Sequence, residues 1–213
     1  FSTLFICAHS FAQSITSTDK PGYEIKIAFR PFKNQYIYLG HYEGKQLPII
    51  DSVLVNDKSE AVFKGPNPLG AGVYLIGYPN KNGFFEFLVG KNQHFSIKAD
   101  TSDLRNIRYK NSPDNDLFTN YQHFMSVNGR KIDSAKRHLA TPKDKKDSAA
   151  LKEIIEKTNK IIKDYRAEVM NKNPDAVLSF LLTLLREPEV PPASQHPGGK
   201  YDSTYAYQYY KSH

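Results

Sequence analysis

From Tyr23 onward the apolar residues fall at every second position, with Tyr23, Ile25, Ile27 and Phe29 on one side and Glu24, Lys26 and Ala28 on the other. A period of two is met by a strand with one dry face and one wet face. The pattern persists through QYIYLGHY (35–42), PIIDSVLV (48–55), EAVFKG (60–65), GVYLIGY (72–78), GFFEFLVG (83–90) and HFSIKA (94–99), and a last strand is expected within Arg105–Lys110. Between these runs stand turn residues: Pro31-Phe32-Lys33-Asn34, the Gly/Pro-rich GPNPLGAG, and Gly90-Lys91-Asn92-Gln93. Asn56-Asp57-Lys58-Ser59 reads as a hairpin loop joining its two neighbours. About eight short strands with turns every 8–12 residues point to an antiparallel β-sandwich or a barrel-like domain over residues 22–110.

The period then changes to that of a helix. Ser112-Pro113-Asp114-Asn115 carries helix-start signals, and Leu117, Phe118, Tyr121, Phe124 and Met125 follow at i, i+1, i+4, i+7 and i+8. From Ser148 to Asn171, Leu151, Ile154, Ile155, Thr158, Ile161, Ile162, Tyr165 and Val169 form one stripe opposite a Lys/Glu-rich face. Asn173-Pro174-Asp175 ends that helix and starts a third, AVLSFLLTLL (176–185), which is apolar nearly all round and is therefore expected to be buried. After the Pro/Gly-rich 187–200, the tyrosines of YDSTYAYQYYKSH are expected on an amphipathic helix packed on the sheet or the third helix; a stacking platform for a sugar or base is the alternative. The pattern runs to His213 without a cap, so the helical domain (112–213) is expected to be truncated. The fold class is α+β.

The first stretch sets the compartment. Residues 1–8 are mostly apolar, no charge precedes Asp19, and Ser10-Phe11-Ala12 has the small–large–small form of a signal-peptidase site. Residues 1–12 read as the remnant of a signal peptide cleaved before Gln13, which makes the protein periplasmic or otherwise exported. The alternative is a lipoprotein anchored through Cys7, although Ile6 before it is larger than a lipoprotein signal prefers. Cys7 is the only cysteine, so after cleavage no disulfide staples the domain.

The formal charge of +7, from 29 basic and 22 acidic residues, invites a nucleic-acid partner. The basic residues are mostly scattered and many alternate with acids, as in DKKDSAALKEIIEKTNK, so no nucleic-acid partner is expected. No stretch reaches the roughly 18 apolar residues of a transmembrane segment. His9, His41, His94, His123, His138, His196 and His213 show no metal-ligand spacing, and neither a nucleophile elbow nor a phosphate loop occurs. Glu43, Asp51, Glu60 and Glu86 are the acids that could form a glycosidase pair. Asp51, inside an apolar strand, is expected to bond a neighbouring backbone group instead. No catalytic, cofactor-binding or metal residue is assigned, and no cofactor is expected.

The strand order, with Ile50-Asp51-Ser52, the Phe63-Lys64-Gly65 ending, Gly72-Val73-Tyr74, Phe87-Leu88 and Phe95-Ser96-Ile97, resembles the β-rich domain of unknown function at the N-terminus of exported Gram-negative thiol:disulfide oxidoreductases of the TlpA/ResA type. NSPDNDLFTNYQHFM, the Asn173-Pro174 helix and YQYYKSH resemble that family's helical linker domain. The resemblance implies a C-terminal thioredoxin-like domain with a CxxC pair as partner, and a client protein or envelope component as a further one. This chain has no CxxC. It is therefore expected to be a non-catalytic accessory module that positions the redox domain or binds its client; the alternative is an exported glycan- or peptide-binding module.

Overall fold

The computed structural model describes residues 22–141, 144–185 and 190–212. The signal-peptide remnant, Cys7, Gln13, His9 and His213 lie outside the described residues. Eight strands come first: β1 (Tyr23–Arg30), β2 (Tyr36–His41), β3 (Ile49–Leu54), β4 (Glu60–Gly65), β5 (Gly72–Gly77), β6 (Phe84–Val89), β7 (His94–Asp100) and β8 (Arg108–Lys110). The helices α1 (Pro113–Leu139), α2 (Lys145–Lys172), α3 (Val177–Leu184) and α4 (Ser203–Ser212) follow. The architecture is α+β, with the sheets in an N-terminal domain.

The strands form two four-stranded sheets, ordered β4-β1-β7-β8 (sheet A) and β3-β2-β5-β6 (sheet B), and they do not close into a barrel. Pairing is antiparallel except at the centre of sheet A, where β1 runs parallel to β7 with Ile25 opposite Phe95 and Ile27 opposite Ile97. Alternation places Ile25, Ile27, Phe29, Phe63, Phe95 and Ile97 of sheet A against Ile37, Leu39, Ile76, Phe85 and Phe87 of sheet B in one buried cluster. Each such side chain contributes about 1.5–3 kcal/mol on burial. Phe29 is the aromatic centre, meeting Phe32, Phe85 and Tyr78 edge-on at ring distances of 4.8, 5.4 and 5.5 Å.

Asn56-Asp57-Lys58-Ser59 is not a hairpin loop. It is a corner: β3 pairs with β2 in sheet B, whereas β4 pairs with β1 in sheet A. The Asn56 carboxamide oxygen accepts from the backbone N–H groups of Lys58 (2.8 Å) and Glu60 (2.9 Å), which turns the chain between layers.

α1 and α2 form an antiparallel pair, each roughly 40 Å long at about 1.5 Å per residue. The seam is narrower than the stripe suggested. Thr158, Ile162 and Val169 are buried, but Ile154 and Ile161 remain exposed. Tyr165 stacks on Phe124 at 3.8 Å, and Arg166 Nε donates to the Tyr121 hydroxyl at 3.1 Å. α3 also departs from expectation. Val177, Leu178 and Leu182 are buried, whereas Phe180, Leu184 and Leu185 are 63%, 66% and 71% exposed. Only one side of this helix has α1, α2 and β6 to pack against. No described helix is long and apolar enough to cross a membrane.

The helices join the sandwich through β6. Leu88, on the outer face of that strand, lies in a buried cluster with Val169, Val177, Leu178 and Leu182. Asn115, fully buried in the first turn of α1, accepts from the Leu88 N–H at 2.7 Å and donates to the Leu88 carbonyl at 2.7 Å. β6 is an edge strand, and this carboxamide satisfies the outward N–H and C=O of Leu88 on its free side. Next to it, Asp114 accepts from the Val177 N–H at 2.9 Å and so caps α3, whose own Ala176 has no capping side chain. Gly90 leaves room for this contact, because a Cβ there would come within 2.2 Å of the Asp114 carboxylate.

Replacing Asn115 with Leu strands a buried donor and acceptor on β6, so a loss of about 2–4 kcal/mol is expected in urea denaturation. Hydrogen exchange at the Leu88 amide will accelerate more than at the Ile25 amide in the centre of sheet A.

Candidate functional site

Where α1 passes the end of the sandwich, its polar side faces a cleft. Thr119, His123, Ser126 and Arg130 recur at i, i+4, i+7 and i+11, opposite the apolar side that carries Leu117, Tyr121 and Phe124. The other wall comprises Phe85 and Glu86 of β6 and the 3-10 turn Leu104–Asn106 with its flanking residues. The cleft has a volume of about 750 Å³. Sites between two structural units are a common place for ligands.

Asp103 and Arg105 pair at 3.3 Å on one rim. Arg130 and His123 come from α1, together with the amide side chains of Asn120 and Gln122. Glu86 is held by the Tyr42 hydroxyl, which donates to its carboxylate. That bond, followed by burial and the charge of Glu86, raises the Tyr42 pKa above its ordinary value. The lining offers donors and acceptors of both signs, suited to a polar ligand such as a sugar or peptide. Among the described residues no cluster of three or more His, Cys, Asp or Glu is arranged to hold a metal ion.

The four acids singled out from the sequence do not converge. Asp51 is paired with Leu39 and so faces the sandwich interior, whereas Glu86 is paired with Leu75 on the outer face of the same sheet. Their strands are the two edges of sheet B, about 14 Å apart at the usual strand spacing. Glu60 belongs to sheet A, and Glu43 lies in the turn after β2, bridged through its backbone to Gln46. Asp51 does what its setting predicts: one oxygen accepts from the Ser52 N–H at 2.7 Å. Its other oxygen accepts from the Tyr23 hydroxyl of the opposite sheet at 3.2 Å, a cross-layer bond not foreseen from the sequence. Burial, then Asp51, raises the Tyr23 pKa.

The histidines serve separate places. His41 Nδ1 meets the Tyr42 carbonyl at 3.1 Å, and His138 Nδ1 meets the Ser134 carbonyl at 2.8 Å. Two of the tail tyrosines gather on a histidine. Tyr201 and Tyr205 lie 5.4 and 4.7 Å from the buried His196 ring. His196 Nδ1 accepts from the Asp202 N–H at 3.0 Å, which leaves Nε2–H to donate to the Pro191 carbonyl at 2.8 Å. His196 therefore folds the Pro/Gly-rich segment back onto the start of α4. Tyr201, Tyr207 and Tyr210 stay exposed. The cleft was missed from the sequence because its polar stripe on α1 reads as a solvated face.

Residues 23–118 match the sequence model of a family described as Domain of unknown function (DUF4369). The match continues past the last strand to include Asn115, Leu117 and Phe118. No curated protein and no solved structure matches the chain.

Glu86→Gln removes the carboxylate that retains the Tyr42 proton, so the Tyr42 titration midpoint moves down toward the ordinary value of about 10. Because the folded-state value is the raised one, this bond stabilises the fold below the unfolded tyrosine pKa and is lost as pH rises through the folded one. Titration of the Tyr42 ring carbon by NMR, in the parent and in Glu86→Gln, checks the direction; an unchanged midpoint contradicts it.

Proposed function

We propose that the DUF4369 domain at residues 23–118 and the helices after it form a non-catalytic accessory module of an exported Gram-negative thioredoxin-like thiol:disulfide oxidoreductase, seating the redox domain or its client. The observation that carries this reading is the exposed apolar end of α3. Phe180 and Leu184 are one turn apart on the same side, and Leu185 adjoins them. Leaving each in water forgoes about 1.5–3 kcal/mol of burial, which a partner domain recovers by covering them. α3 is tied through Asp114 to α1, and α1 through Asn115 to β6, so this surface keeps a fixed position relative to the sandwich. A positioning module needs that property. The resemblance in Ile50-Asp51-Ser52, Phe87-Leu88 and Phe95-Ser96-Ile97 supplies the class of partner.

A second reading, an exported glycan- or peptide-binding module, is favoured by the polar cleft between β6 and α1. The two readings use different surfaces and separate cleanly by mutation.

Sequencing the parent gene beyond His213 is the first test. A CxxC within a thioredoxin-like pattern is expected, and a nearby stop codon removes the redox partner from the proposal. With that domain supplied as a separate chain, Phe180→Ser plus Leu184→Ser will weaken its association at least about tenfold, equivalent to about 1.4 kcal/mol, as read by calorimetry. Arg130→Ala will leave that association unchanged. The reverse pattern places the association at the cleft and overturns the α3 seating.

A further inference from the structure

The outer face of sheet A carries a shallow groove of about 530 Å³ that neither reading above uses. Its floor is made of the small side chains Ala28 and Ser96, with Val62 beside them. Strand pairing sets its rim. Lys98 of β7 is directly opposite Arg108 of β8, and Lys110 is directly opposite Ser96, whose other neighbour is Lys26 of β1. Four cations from three strands thus surround one serine.

Compensation of this arrangement is only partial, with Asp100 two residues beyond Lys98 on the same face of β7. Like charges directly opposite across a strand pair are unfavourable. Among the described residues Lys98, Arg108 and Lys110 have no ion-pair partner. Lys26 pairs with Glu24 at 3.1 Å, on the side away from the cluster. Glu60, the acid at the far end of the groove, is opposite Ala28 and thus two strands removed from Lys98.

We infer that this groove binds a ligand carrying two phosphate groups on a spacer the size of one sugar ring. One phosphate is held by Lys98 and Arg108. The other sits over the Ser96 hydroxyl between Lys26 and Lys110. The two cation pairs are two residues apart along the strands, about 7 Å, which suits phosphates at opposite ends of a hexose. Arg108 supplies forked donors that match phosphate oxygens, and the lysines supply point charges. The small floor and Val62 accept the apolar face of the ring. Charge complementarity selects the partner. Among the described residues that line the groove, the one aromatic ring, Tyr109, is directed into the sandwich core and leaves no platform for a base to stack on.

Calorimetry on the whole chain, with glucose 1,6-bisphosphate, glucose 6-phosphate, inorganic phosphate and glucose as probes, tests this. Saturable binding of the bisphosphate is expected, at least about tenfold tighter than the monophosphate and weakened by salt. Lys98→Gln plus Arg108→Gln will lower its affinity at least about tenfold, whereas Lys146→Gln plus Lys152→Gln, the same charge removed from α2, will change it less than about twofold. The Lys98/Arg108 variant will melt no lower than the parent, because a repulsive pair has been removed. In the parent, amide shifts on titration will concentrate at residues 26–28, 96–98 and 108–110. Absence of saturable binding, equal affinity for the two phosphates, equal losses in both variants, or shifts scattered over the lysine-rich helices each overturn the proposal. None of these outcomes depends on what the α3 surface or the cleft binds.

Discussion

Two hydrogen bonds between the Asn115 side chain and the Leu88 backbone seat the helices on the edge of the sandwich. An edge strand exposes unpaired N–H and C=O groups, and burying them unbonded costs more than most single contacts return. Asn115 solves this with one carboxamide, which has both a donor and an acceptor in the right separation. Its position is itself fixed by Ser112, whose hydroxyl accepts from the same side chain at 2.8 Å. Everything helical is placed downstream of that bond. Asp114 is one residue away and caps α3, and Leu88 carries the apolar contact beneath. The end of the family match at residue 118, inside α1, agrees with this physics. The first turn of α1 belongs to the sheet's bonding even though it is helical in form.

The three surfaces described above differ in kind because of what lies behind them. The cleft is polar because α1 turns its apolar stripe toward α2 and α3 and has only its polar stripe left for the end of the sandwich. The α3 end is apolar because an eight-residue helix reached by neighbours on one side cannot hide an all-round apolar sequence. The groove on sheet A is basic because period-two alternation sends Lys26, Lys98, Arg108 and Lys110 to the same face.

Much of the sandwich was legible in the sequence. The alternation of Tyr23 to Phe29 predicts which residues reach the core, and Asp51 inside an apolar strand predicts a bond to a neighbouring backbone group. What local pattern cannot carry is the assignment of strands to sheets. A loop such as Asn56–Ser59 turns the chain equally well within one sheet or between two, and the choice rests on β4 finding β1. The same limit hid the cation cluster: Lys26, Lys98, Arg108 and Lys110 look scattered along the chain and become neighbours only through the β1-β7-β8 order. Asn115 was visible only as part of a helix start, since nothing local shows that an edge strand will come to it. α3 shows the opposite error. Its composition says buried, but burial needs surrounding mass, which composition does not count.

The parallel pairing of β1 with β7 has a consequence for how this chain is made. β2 with β3 and β5 with β6 are neighbours in sequence and close as local hairpins, so sheet B can assemble while the chain is still emerging from the ribosome. Sheet A cannot. β1 is the earliest of the described strands to appear, yet one of its flanks stays open until β7 has been synthesised. Through that interval its Ile25, Ile27 and Phe29 have only β4 beside them. Nascent chains of this protein therefore pass through a stage with a half-built layer and an apolar strand paired on one side only, which is the stage at which chaperone protection matters most.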